Sequence, residues 1–131
     1  MAGNATELLV QRMRRARRIT VPLSPTPQAP ADAAPKRIFL LRPLEEQALA
    51  MMHAKSVTID DVCRHADGWE GITQADLLGP ELGSQDEAVD FAPEIFSEFV
   101  RDRADLMAEL VTRLAEAINA HFARRADTAK N

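Results

Sequence analysis

Asp67-Gly68-Trp69-Glu70-Gly71-Ile72, continued by Thr73-Gln74-Ala75-Asp76-Leu77-Leu78-Gly79, contains the only tryptophan of a 131-residue chain that has five phenylalanines and no tyrosine. A buried aromatic side chain covers roughly 150–250 Å², so one indole is a large share of the surface from which this chain can build a core. Gly68 and Gly71 frame the tryptophan. They suggest backbone at positive φ or in close approach, hence a tight turn and not a regular helix. Trp69 then has two readings: a buried anchor onto which the downstream helices pack, or an indole presented to a partner.

A chain of this length makes one domain with tails. The divisions expected are a basic arm or helix over 1–18, a single domain over 19–125 with a Pro-rich loop at 22–35, and a polar tail over 126–131. No apolar run approaches the eighteen residues of a membrane span, and Ile19-Thr20-Val21-Pro22-Leu23 is too short and proline-broken for a signal-peptide core. The expected location is the cytoplasm. One cysteine, Cys63, excludes an internal disulfide and fits a reducing compartment.

The net charge of −4 conceals an asymmetry. Residues 1–42 carry eight Lys and Arg against two Asp and Glu, residues 43–100 carry two against thirteen, and residues 101–131 carry six against five. The basic amino end and acidic middle have three possible uses: pairing within a molecule, pairing between copies in a homo-oligomer, or meeting separate partners. Arg12, Arg14, Arg15, Arg17 and Arg18 form a basic patch, but no aromatic or amide side chain is interleaved among them. Base recognition usually adds such groups, so nucleic-acid binding is disfavoured against a solvated or partner-docking arm.

The elements expected along the chain make an α+β fold, mainly α: a short N-terminal β-hairpin followed by a small helical bundle with an amphipathic C-terminal helix. Thr6 is placed to cap a helix from Glu7, with Leu8, Leu9 and Met13 on one side. Ile19–Leu23 and Arg37–Arg42 read as paired strands around the proline loop. Pro43 starts a helix with Leu44, Ala48, Leu49 and Met52 as its apolar face, ending near Lys55-Ser56. Thr58 with Asp61 has capping-box spacing for a short helix ending at Gly68, and Thr73 with Asp76 repeats it for a single turn through Leu78. Residues 81–90 read as an acidic surface loop. Phe91-Ala92-Pro93-Glu94 starts a helix with Phe91 as a hydrophobic staple and Ile95, Phe96, Phe99 and Val100 as the buried side. Asp102 to Asp105 should break the chain. The last helix then carries Leu106, Met107, Leu110, Val111, Leu114, Ile118 and Phe122 at three- and four-residue spacing, with fraying beyond Arg124.

Asp60, Asp61, Cys63 and His65, with His53 upstream, are the one catalytic-looking group. A lone Cys-Arg-His lacks the second pair that a zinc site needs, and residues two apart on a helix do not converge. Cys63 falls on the apolar side of its helix, where a thiol is inert. His121 reads as a surface or flank residue. No phosphate loop, nucleophile elbow or dinucleotide fingerprint occurs, so no catalytic residue, metal or cofactor is expected, and binding is favoured over catalysis. The apolar residues left to serve a partner are Trp69, Phe91, Phe96, Phe99, Leu110, Leu114 and Ile118, although such a helix stripe usually belongs to the core.

Gly68-Trp69-Glu70-Gly71-Ile72, then Asp76-Leu77-Leu78, Val89-Asp90-Phe91-Ala92-Pro93-Glu94 and the amphipathic last helix resemble the tail assembly chaperones of long-tailed bacteriophages and prophages, over roughly residues 36–122. The resemblance implies a non-enzymatic, mainly helical protein of the host cytoplasm. It would bind the tape measure protein, with the tail tube protein as a further candidate partner, keeping the former soluble while the tube polymerises. It also implies a longer product made by ribosomal slippage, which codons for Ala129-Lys130-Asn131 can accommodate. The arginine-rich end and proline loop lie outside the likeness. The alternative is a structural tail or head-tail connector protein that stays in the virion.

Overall fold

The computed structural model describes residues 2–23 and 35–130. In chain order its elements are α1 (Ala2–Ala16), β1 (Arg18–Leu23), β2 (Lys36–Leu41), α2 (Glu45–Ala54), α3 (Ile59–Arg64), β3 (Ala66–Glu70), α4 (Gln74–Leu78), α5 (Pro93–Arg101) and α6 (Ala104–Lys130). The mainly helical α+β fold expected from the sequence is therefore the one adopted. The hairpin is present, with Ile19 opposite Leu40 and Val21 opposite Ile38, and most of the proline loop lies outside the described residues.

The sheet has a third strand that the sequence reading takes for a turn. β3 pairs antiparallel with β2, making the order β1-β2-β3. Asp67-Gly68 is turn-coded in isolation, but the free edge of β2 supplies backbone partners, and that pairing overrides weak strand propensity. Phe39 lies opposite Gly68 and Leu40 opposite Ala66, so Asp67 is the extra residue of a bulge. Its carboxylate accepts from Arg18 Nη2 at 2.8 Å, and the Arg18 guanidinium lies 4.7 Å from the Phe39 ring centroid on the same face. Of the framing glycines only Gly71 has positive φ, at 78°.

The opposite face of the sheet carries the core. Val21, Ile38 and Leu40 are fully buried against Val62 of α3, Phe96 and Val100 of α5, and Leu110, Leu114 and Ile118 of α6. Alternation along each strand puts these residues on one side, and three- to four-residue spacing puts the α6 stripe along one helix face. Both capping boxes form: Thr58 accepts from the Asp61 N–H and Thr73 from the Asp76 N–H, each with the reciprocal carboxylate bond. Phe91 contacts Phe96 at a centroid distance of 5.8 Å across the Ala92 N-cap, which is the staple geometry.

Several boundaries differ from expectation. α1 begins at Ala2, leaving Thr6 inside the helix. α3 ends at Arg64, before the bulge, and not at Gly68. α6 continues without a break to Lys130, through the residues expected to fray or form a polar tail. α2 is turned the other way: of its expected apolar face only Ala48 is buried, while Leu44, Leu49 and Met52 are exposed. Ala48 is the residue by which α2 meets the core, and the larger side chains lie exposed.

Candidate functional site

Among the described residues no group of His, Cys, Asp and Glu is arranged to hold a metal ion. The acidic and thiol group noted in the sequence is occupied structurally. Asp60 pairs with Arg101 at 2.6 Å, Asp61 caps α3, and the His65 ring sits between the Asp61 carbonyl at 2.8 Å and the Gln47 side-chain amide at 3.1 Å. His121 donates to Glu45 Oε2 at 2.7 Å and ties α6 to the first turn of α2. That hydrogen bond, with Arg125 and Arg42 nearby, holds the Glu45 carboxyl below the ordinary glutamate range. These contacts tie α3 to α5 and α2 to α6.

The seven apolar residues expected to meet a partner divide sharply. Phe96, Leu110, Leu114 and Ile118 are buried by their own chain, so they are core and not a surface. This corrects the expectation: a stripe on one helix has the same spacing whichever surface covers it, and here the sheet and α5 do. Trp69, Phe91 and Phe99 are half-buried. Trp69 stands edge-on to Phe91 and Phe99, with centroids at 5.5 and 6.3 Å, and its indole N–H donates to the Val89 carbonyl at 2.7 Å. Its polar atom and both flanks of its ring are used within the chain. Trp69 thus closes the side of the core where β3, α5 and the acidic loop meet.

The basic patch also divides. Arg17 Nε donates to the Arg42 carbonyl at 3.2 Å, and Arg18 is committed to Asp67 and Phe39. Arg12, Arg14 and Arg15 lie exposed on α1 and, among the described residues, have no carboxylate partner.

The structure leaves apolar helix surface uncovered, including Ile95, which was expected on the buried side of its helix. On α2, Leu49 and Met52 are 46% and 44% exposed. A shallow groove of about 280 Å³ runs between α2 and α6, lined by Met51, Met52 and Val57, with the buried Ile118 beneath and Lys55, Ser56 and Asn119 adding polar atoms. On α1, Leu8, Leu9 and Met13 are uncovered. A third surface lies between α4 and α5, where Leu78 and Ile95 are exposed beside Glu94 and Glu98. The apolar positions of α1 and α2 were visible in the sequence; what one helix cannot reveal is which side the rest of the chain will cover.

No helix among the described residues is long and apolar enough to cross a membrane. Comparison with known proteins found no matching family model, no matching curated protein and no matching solved structure.

Proposed function

We propose that this chain is a non-catalytic helix-binding protein acting as a phage tail assembly chaperone, which holds the tape measure protein soluble in the host cytoplasm while the tail tube polymerises. The observation that supports it is the groove between α2 and α6, lined in part by Met51, Met52 and Val57, together with Leu49 exposed on the same helix. An apolar helix docks on such a surface through anchors at three- and four-residue spacing. Methionine suits the task because its unbranched, polarisable side chain adapts to ridges of different shape, as a long and irregular apolar partner requires. The acidic residues 43–100, with two Lys and Arg against thirteen Asp and Glu, would keep a loaded complex soluble.

The residues that carry the resemblance fit this reading as scaffold: Trp69 closes the core, Asp76 caps α4, and Pro93 starts α5. On this reading they hold β3, α4 and α5 in place and do not themselves touch the partner. The test is co-expression with a phage tape measure protein. The reading expects that protein to stay soluble only when this chain is present, and purified particles to lack this chain by mass spectrometry. Stoichiometric recovery of the chain from particles would instead identify a structural tail or connector protein.

A further inference from the structure

We propose that the α1 arm of one copy docks in the acidic groove between α4 and α5 of a second copy, so that the chain assembles head to tail. The arm is a helix with no tertiary cover on Leu8, Leu9 or Met13, which are 57–61% exposed. It carries Arg12, Arg14 and Arg15 without carboxylate partners among the described residues. The groove has the complementary composition. Leu77, Leu78, Ile95 and Phe99 form its apolar floor within a volume of about 840 Å³, and Glu94, Glu98 and Asp102 stand on its rim. The other charges there are already matched: Asp76 with Lys36 at 2.7 Å, Arg101 with Asp60 at 2.6 Å, and Arg103 with Asp105 at 2.7 Å. Three carboxylates without basic partners among the described residues remain, facing an occupant that should be apolar and basic. The arm is the segment of this chain with that chemistry.

Geometry favours a second copy over the same one. Arg17 is clamped at the start of β1 by two hydrogen bonds, Arg42 N to the Arg17 carbonyl at 2.8 Å and Arg17 Nε to the Arg42 carbonyl. This fixes the root of α1 at the end of the sheet where Arg18 faces Leu41. The groove adjoins the other end, where Lys36 reaches Asp76. A strand of six residues, about 20 Å at 3.3 Å per residue, separates the two. An arm and a groove at opposite ends of a molecule form a heterologous contact, which propagates into a ring or an open chain. One docked helix is a small interface, in the transient class below about 1,200 Å², and its ionic part is screened as the Debye length falls from about 10 Å at 0.1 M salt to about 3 Å at 1 M.

The experiment is sedimentation velocity at protein concentrations up to on the order of 100 µM, chosen for an interface of that size. It uses wild type, an arm variant (Leu9→Asp with Met13→Asp) and a groove variant (Leu78→Asp with Glu98→Arg), after circular dichroism has established that each is folded. All four positions are exposed, and none lies in the α2 groove, so self-assembly and capture of a helical partner are read separately. Wild type should associate beyond the monomer and dissociate as salt is raised. Each variant alone should be monomeric, and an equimolar mixture should form a heterodimer, because one intact arm meets one intact groove. A wild type that stays monomeric overturns the proposal. So does either variant assembling as wild type does, or a mixture that remains monomeric. Loss of tape measure capture in the arm variant with self-association intact would assign the arm to that partner and also overturn it.

Discussion

The indole N–H of Trp69 donates to the carbonyl of Val89, twenty residues on, at 2.7 Å, and so pins the loop that follows α4 against the one strand the sequence does not announce. Trp69→Ala removes the ring from between Phe91 and Phe99 and should cost about 3 kcal/mol of stability. Trp69→Phe keeps much of the ring and leaves the Val89 carbonyl without its donor, for a loss of about 1–2 kcal/mol. Urea unfolding followed by circular dichroism measures both. Equal stability of Trp69→Ala and wild type would show that the indole is not an anchor.

Gly71 turns the chain out of β3 at φ 78°, with the Pro35 carbonyl where a Cβ would stand. Gly68, in the middle of β3, has an ordinary φ and room for a methyl, with Phe39 Cδ2 at 3.8 Å. Gly71→Ala should therefore destabilise by well over 1 kcal/mol through strain and collision together, whereas Gly68→Ala should be nearly neutral. Thermal melts of the two variants side by side give the order, and the reverse order would contradict the backbone described for this turn.

Asp76 does two jobs with one carboxylate, accepting from the Thr73 N–H at 2.8 Å and from Lys36 Nζ at 2.7 Å, where both side chains of the ion pair are largely buried. Asp76→Ala leaves the Lys36 ammonium with only the Gly71 carbonyl and uncaps α4, for a loss of about 3 kcal/mol. Thr73→Ala loses the cap alone, at about 1 kcal/mol. Denaturant midpoints should rank the variants in that order, and a Thr73→Ala loss equal to that of Asp76→Ala would remove the ion pair from the account.

Glu45 links α2 to α6 through His121 and Arg125. Because the hydrogen bond from His121 lowers the folded-state pKa of Glu45, its contribution is present above the ordinary glutamate range and is lost as the pH falls through the folded value. Asp105, held low by Arg103, has the same sign. The melting temperature of Glu45→Gln should lie below that of wild type at neutral pH and converge on it in acid. A gap that widened in acid would mean that the pair does not stabilise the fold.

The parts of this fold legible in the sequence are those fixed by neighbours a few residues apart. Thr58 with Asp61, Thr73 with Asp76, and Phe91 with Pro93 each announce a helix start, and each is where expected. β3 was hidden because Asp67-Gly68 is locally a turn and becomes a strand only when β2 offers an edge. The candidate surface was hidden for a related reason. Leu114 and Leu49 are both apolar residues on helices, and only the assembled core distinguishes the one at 0% exposure from the one at 46%. Reading Phe96, Leu110, Leu114 and Ile118 as partner-facing came from that ambiguity, and burial resolves it by arithmetic: fully burying one such side chain contributes about 1.5–3 kcal/mol, a gain the chain has already taken for itself.

Under the proposed function, the surface of α2, and not the aromatic cluster around Trp69, takes the helical partner. The most direct test of this claim is quantitative co-purification of a phage tape measure protein with wild type and with a Leu49→Asp, Met52→Asp variant, each checked by a thermal melt. Both positions are exposed, so the melt should be nearly unchanged, and capture should fall by at least tenfold, the equivalent of about 1.4 kcal/mol. Undiminished capture by a variant that melts like wild type would contradict the claim.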